Sequence, residues 1–153
     1  GIWQINEPGK PYGPHPYGMG WGETPWNEAY RLPGSLQVGL GKKLLERLPW
    51  WKFEPHPEWL EERAYQHEYI VPYAAGVPGE VRVVFMPFLE SSVWGGVLVR
   101  RLEPDIDYKA YYYCPISGRT YDLGDAAPNE QGEWRSGGLP RFQDWVLVME
   151  KKG

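Results

Sequence analysis

Acidic side chains set among aromatic rings are the groups in this sequence best suited to chemistry. Glu7, Glu23 and Glu28 lie in a segment that also contains Trp21 and Trp26. Two carboxylates held at a fixed separation can perform general acid–base catalysis, in which one donates and the other accepts a proton. These three loop acids do not form a credible pair of this kind, so we predict no catalytic residue in this chain. Glu23, between the two tryptophans, is the strongest candidate to contact a ligand, and a solvated loop acid is the alternative.

The segment that carries these acids is a long stretch rich in Gly, Pro and aromatic residues, EPGKPYGPHPYGMGWGETPWNEAYRLPGS. Loops longer than about 12–15 residues that contain no helix or strand are usually either functional or disordered. Disordered segments are poor in aromatic residues, whereas this one has several. We therefore predict an ordered, functional loop.

Other kinds of site find little support in the sequence. His15, His56 and His67 do not have the spacing of metal ligands, and Cys114 has no His nearby in sequence that could activate its thiol. The glycine-rich stretch GMGWGE is not part of a strand–turn–helix unit, which a nucleotide-binding motif requires. The sequence predicts neither a metal nor a cofactor.

Composition and charge limit the classes of molecule that this chain is expected to bind. The 16 Lys and Arg residues are scattered among 20 Asp and Glu residues, which gives a net charge of −4 and no basic face for a nucleic acid. No apolar stretch approaches the roughly 18 residues of a membrane span. A single cysteine excludes an internal disulfide but does not assign a compartment, so a secreted or periplasmic location stays open.

The predicted elements change in character along the chain. Residues 1–6 read as a strand, the aromatic loop follows, and a leucine stripe predicts a helix over 35–48 that Ser35 caps. Residues 49–60 contain three tryptophans and, after Pro49, two more prolines. They are predicted to be a rigid aromatic hinge that buries Trp50, Trp51 and Phe53 between the helix and the sandwich. Short strands with turn signals between them then indicate an antiparallel sandwich, at 80–88, 95–102, 107–114, 119–123, 133–136 and 144–151.

A strand, a loop and one helix cannot form a domain, but they are one repeat of a (β/α)₈ barrel. We therefore predict a mainly β fold: an antiparallel β-sandwich preceded by one strand–loop–helix repeat of an incomplete barrel. The expected division is 1–48 for the barrel repeat, 49–60 for the hinge and 61–153 for the sandwich. The other barrel strands would belong to another chain or to a missing part of this one.

Several weak motifs, taken in order, resemble the C-terminal end of the apiosidase-like glycoside hydrolases. They are GIWQ, the loop end WNEAYRLPGS, RLPWWKFEP, and the distal YYYCPISGRTYDLG, EW and DWVLVM. Those enzymes join a catalytic barrel to a C-terminal sandwich that is similar to a collagen-binding domain of a collagenase. This chain has Cys114 where the family turn usually has Asp.

The resemblance implies a role for the chain and for four residues. The chain would be a fragment or subunit of a glycoside hydrolase acting on plant-type polysaccharide, and it would not be catalytic alone. Trp3, Trp21, Glu23 and Trp26 would bind substrate, with Trp3 forming the floor of the cleaved-sugar subsite and core packing as its alternative. The implied partners are the polypeptide with the rest of the barrel and an oligo- or polysaccharide. A free-standing carbohydrate- or protein-binding sandwich is the alternative function.

Overall fold

The computed structural model describes residues 6–9, 24–61, 70–89 and 93–153, and the chain divides into two units, 1–44 and 45–153. The first unit contains helix α1 (Trp26–Ala29) and all but the last residue of helix α2 (Pro33–Leu45). The second contains β1 (Glu54–Pro55), β2 (Tyr73–Val77), β3 (Val81–Met86), β4 (Leu98–Val99), β5 (Tyr108–Tyr113), β6 (Thr120–Ala126), β7 (Trp134–Arg135) and β8 (Trp145–Lys151). The predicted mainly β fold is confirmed. The predicted strand at 1–6 lies, except for Asn6, outside the described residues.

Helix α2 spans Pro33–Leu45, whereas the predicted range was 35–48. It begins at Pro33, because a proline suits the first helical turn, where its missing N–H would have no helical partner. Ser35 therefore lies inside the helix, and its hydroxyl donates to the carbonyl of Ala29 at 3.4 Å. The predicted leucine stripe is buried only toward its C-terminal end, since Leu44 is 5% exposed whereas Leu36 is 64% exposed.

The strands form a six-stranded antiparallel sheet in the order β1-β2-β3-β8-β5-β6 and a two-stranded sheet, β4-β7. Strands β3, β5, β6 and β8 fall where the residue pattern predicts them, and β4 and β7 are shorter than predicted. The turn between β5 and β6 closes through backbone hydrogen bonds of 2.8 Å, from Gly118 N–H to Cys114 C=O and from Cys114 N–H to Arg119 C=O. An acidic side chain is not needed to form it.

One face of the large sheet supplies most of the core. The alternating pattern of β8 points Trp145, Leu147 and Met149 inward, and their partners on β3 and β5 point the same way, since paired residues share a face. Val97 and Val99 of the β4 region cover them, with Trp134 of β7 packed against the cluster. The expectation that Trp134 and Trp145 belong to the core is confirmed, Trp134 being half-buried at its border.

A glycine in β2 makes room for the most unusual contact in this core. Gly76 pairs with Arg82 of β3, and a Cβ on Gly76 would meet the Val81 carbonyl oxygen at 2.2 Å and the Trp59 ring at 3.0 Å. Without that Cβ, the Trp59 indole lies against the strand. The Arg82 guanidinium carbon is then 4.1 Å from the Trp59 ring centroid, and the His56 ring stacks on the same indole at 3.9 Å.

Arg82 is fully buried and is neutralised by Glu103. Its Nη2 donates to Glu103 Oε2 at 2.9 Å, and the same carboxylate accepts from the Tyr108 hydroxyl at 2.7 Å and the Gly79 N–H at 3.1 Å. Burial alone would raise the pKa of Glu103, but the hydrogen bonds from Tyr108 and Arg82 and the Arg82 charge lower it overall. Burial and the Glu103 carboxylate raise the pKa of Tyr108 to about 12.

The prediction that Trp50 and Trp51 are buried is wrong. They lie in a 3-10 turn (Trp50–Lys52) and are 50% and 68% exposed, whereas Trp59 is 4% exposed. A 3-10 turn has about three residues per turn, so consecutive side chains point about 120° apart, and both rings cannot enter the same core. Residues 54–55, within the predicted hinge, form the edge strand β1 of the large sheet.

These exposures predict opposite outcomes for two tryptophan substitutions. Trp59→Ala should lower the free energy of unfolding by about 3–5 kcal/mol, because it removes a buried indole and opens a cavity beside Arg82. The control Trp51→Ala should change it by no more than about 0.5 kcal/mol, as is usual for surface positions. Urea unfolding of both variants measures the difference, and equal losses would contradict the assignment of Trp59 to the core.

The Glu103 carboxylate predicts a dependence of stability on pH. Its folded pKa is lowered, so its stabilising effect is present above its unfolded pKa and is lost as pH falls through the folded pKa. Glu103→Gln should therefore lower the free energy of unfolding at pH 7 by roughly 2–3 kcal/mol, which is less than the roughly 3–5 kcal/mol lost when a fully buried ion pair is broken. The stability of this variant should also change less than that of the wild type between about pH 3 and 6.

Glu133→Gln is the matched control, because it breaks the partly exposed ion pair with Arg100. It should cost under about 1 kcal/mol. Thermal melts across this pH range test both variants. A Glu103→Gln profile that runs parallel to the wild type would show that Glu103 does not titrate with folding.

Candidate functional site

The described part of the first unit places a loop closure directly after the predicted N-terminal strand. Asn6 forms an isolated parallel bridge with Pro25, and its carbonyl accepts the Trp26 N–H at 2.8 Å. The Asn6 side-chain amide donates to the Thr24 carbonyl at 3.5 Å, and Asn6 is 3% exposed. The two ends of the aromatic loop are thereby held together, and helix α1 begins at the closure.

Two aromatic side chains are exposed at this closure. Trp26 is the first residue of α1 and is 58% exposed, and Tyr30 follows the helix and is 54% exposed. Residues four apart in a helical turn lie on the same face, so both rings belong to one surface. Pro25 suits this start, because its extended backbone leads into the helix and its carbonyl accepts the Glu28 and Ala29 N–H groups.

Arg31 adds a charged donor beside these rings. Its Nε donates to the Tyr30 hydroxyl at 2.7 Å, and its guanidinium carbon lies 5.1 Å from the Tyr30 ring centroid. The surface therefore combines exposed apolar ring area with a guanidinium and a phenol that can form hydrogen bonds. Such a surface can bind a ligand that has both apolar and hydroxyl groups.

Of the four predicted substrate-binding residues, the structure places Trp26 at this surface. Trp3, Trp21 and Glu23 lie outside the described residues, and their position at the site stays a prediction. The sequence reasoning missed Asn6, Tyr30 and Arg31. Tyr30 could have been found from its spacing of four residues from Trp26, and Asn6 from its position as the first polar residue after the apolar stretch.

The described ranges contain no cluster of three or more His, Cys, Asp or Glu side chains arranged to bind a metal. Within the same ranges, no helix has the length and apolar character needed to cross a membrane.

Comparison with known proteins gives matches among solved structures. The chain is similar to a protein named glycoside hydrolase, with a TM-score of 0.61 and 18% identity over 91% of this chain and 30% of that chain. It is also similar to a glycoside hydrolase family 5 from Bacteroides vulgatus, with a TM-score of 0.63 and 15% identity over 95% of this chain and 30% of that one. No protein-family model and no curated protein matches the sequence.

These matches identify a fold. The chain has a fold that is found in part of glycoside hydrolase chains, and it spans 30% of the length of the two it is compared with.

Proposed function

We propose that this chain is the C-terminal part of a glycoside hydrolase of the apiosidase-like kind, which acts on plant-type polysaccharide. The chain contributes one wall of the active-site cleft and a supporting β-sandwich. The catalytic carboxylates belong to the part of the enzyme outside this sequence. The observation that carries the proposal is the exposed pair of rings, Trp26 and Tyr30, at the closure that follows the predicted strand.

The position of this pair suits the proposed role. In (β/α)₈ enzymes the active site lies at the C-terminal ends of the strands and is built from the loops that follow them. The Asn6–Pro25 bridge closes such a loop directly after residues 1–5, which the sequence predicts to be the last barrel strand. Ring faces at this position can pack against the C–H groups of a sugar, while the Arg31 guanidinium can donate to its hydroxyls.

The remaining predicted residues complete the proposed wall. Trp3 would form the floor of the subsite, Trp21 would line the cleft, and the Glu23 carboxylate would accept hydrogen bonds from substrate hydroxyls. None of these roles requires a proton transfer, which agrees with a chain that binds substrate while another part of the enzyme carries the catalytic acid and base.

The exposed apolar residues of α2 are a further argument for a partner polypeptide. Leu36, Val38 and Leu45 are 64%, 56% and 39% exposed. The outer helices of a (β/α)₈ barrel bury such side chains against the barrel strands and the neighbouring helices. The polypeptide that carries the other barrel strands is the proposed cover for this surface.

We predict that the isolated chain hydrolyses no glycoside. The chain should give no turnover on aryl glycosides or plant cell-wall oligosaccharides. Hydrolysis needs a carboxylate pair that flanks the scissile bond, and we propose that this pair lies on another part of the enzyme. Combined with a polypeptide that carries the rest of the barrel, the chain should give an active enzyme. Turnover by the chain alone, abolished by Glu23→Gln, would contradict the proposal, as would a barrel polypeptide that is fully active without this chain.

A second prediction concerns Trp26 in the active, complete enzyme. Trp26→Ala should raise KM about tenfold or more with a smaller change in kcat, because it removes a stacking surface that holds the substrate before and during the reaction. Trp51→Ala is the matched control, since Trp51 is even more exposed but belongs to the second unit. Equal kinetic constants for Trp26→Ala and the wild type would remove Trp26 from the site.

A further inference from the structure

The second unit contains a groove of about 910 Å³ that the proposed function does not use. One part of its lining is apolar and includes Pro55, Pro72 and Tyr73, whose ring is 55% exposed. The other part is polar, and its described members are Glu58, Glu61, Glu133, Arg100, Arg101 and Gln131. Ligand sites typically have volumes of about 300–1,000 Å³ and combine apolar walls with a few polar groups, which fits this groove.

The backbone at the two arginines is held from beneath by Arg82. Arg82 Nη1 donates to the Arg100 carbonyl at 2.8 Å, and Nη2 donates to the Arg101 carbonyl. Arg101 has a φ of 55°, a conformation that few residues other than glycine adopt. The carbonyls of Arg100 and Arg101 both reach the same guanidinium in this conformation. Hydrogen bonds from Arg82 therefore hold the backbone conformation at Arg101, which lines the groove.

Contacts with neighbouring side chains hold two of the carboxylates in place. Arg100 Nε contacts Glu133 Oε1 at 3.0 Å, and His56 Nδ1 lies 2.8 Å from Glu58 Oε1. The hydrogen bond from His56 is the main cause of a lowered pKa of Glu58. The groove therefore presents ionised acceptors and guanidinium donors at the same time, in positions that the protein fixes before a ligand arrives.

We propose that this groove binds a neutral oligosaccharide. Each sugar hydroxyl both donates and accepts a hydrogen bond, so it can use carboxylates, guanidiniums and the Gln131 amide together. The charges of the three carboxylates and the two guanidiniums nearly cancel, so the groove has no strong net charge that would favour an anionic or a cationic ligand over a neutral one. Tyr73 supplies an exposed ring against which a sugar can pack. The site belongs to residues 45–153 and does not depend on the proposed hydrolase activity.

The test measures binding by the purified chain. Affinity electrophoresis through gels that contain xyloglucan, galactomannan, arabinan or arabinoxylan should show retardation by at least one of these neutral glycans. Calorimetry with oligosaccharides of the retarding glycan then gives Kd. Polygalacturonate and a proline-rich peptide serve as an anionic and a peptide comparator, and neither should bind.

Two substitutions at Arg101 separate the side chain from the fold. Arg101→Gly and Arg101→Asn both tolerate a positive φ, so each should keep or raise the wild-type melting temperature while raising Kd at least tenfold. Tyr73→Ala should weaken binding to a similar extent. The controls Arg119→Ala and Trp51→Ala remove an exposed arginine and an exposed tryptophan outside the groove and should leave Kd unchanged.

Three results would overturn the proposal. They are failure to bind any of the neutral glycans, glycan binding that Arg101→Gly and Tyr73→Ala leave unchanged, and Arg101-dependent binding of the peptide or of polygalacturonate in place of a neutral glycan. Because hydrolysis is not measured, each result leaves the proposed function of the first unit to be judged separately.

Discussion

The buried guanidinium of Arg82 is the interaction on which the second unit depends. Taking a charge out of water costs several kcal/mol, and the charge is tolerated only where opposite charge and hydrogen-bond acceptors replace the water. Glu103 supplies the charge, the carbonyls of Arg100 and Arg101 supply acceptors, and the Trp59 ring covers the cation. Because these partners come from separate parts of the chain, the contacts of this one guanidinium hold the segment before β2 and the segment after β4 against β3.

This network couples the interior of the sandwich to its surface. The left-handed backbone at Arg101 costs about 1–3 kcal/mol in a residue other than glycine, and it persists because Arg82 binds the carbonyl on each side of it. The same backbone presents the Arg100 and Arg101 side chains to the groove. A strained surface segment held by a fully buried charge is therefore rigid, and a rigid site loses little conformational entropy when it binds a ligand.

Sequence patterns predicted the elements built from strand-forming residues and missed those that depend on contacts distant in sequence. Strands β3, β5 and β8 are short runs rich in Val, Tyr and other strand-forming residues, so they can be recognised without a structure. Strand β2 reads YAAGV and gives a weak signal, since Gly76 is needed for the approach of Trp59 and not for strand formation. Burial of Trp59 but not of Trp51 could not be read from residue type. Trp26 could be proposed as a site residue from its loop, whereas the groove joins residues as distant in sequence as Glu58 and Glu133.

The tryptophans show how one residue type serves two purposes in this chain. Trp145 is fully buried and its indole N–H donates to the Arg141 carbonyl at 2.9 Å, so both its apolar ring and its polar atom are satisfied internally. Trp26 is more than half exposed although it lies at a hydrogen-bonded loop closure. Fixed backbone with an exposed ring is what a stacking surface requires, because the ring then loses little freedom when a ligand covers it. Trp51 is exposed as well, but it lies in the short turn Trp50–Lys52 of the second unit and not at the Asn6–Pro25 closure, which is why the proposed stacking role is given to Trp26.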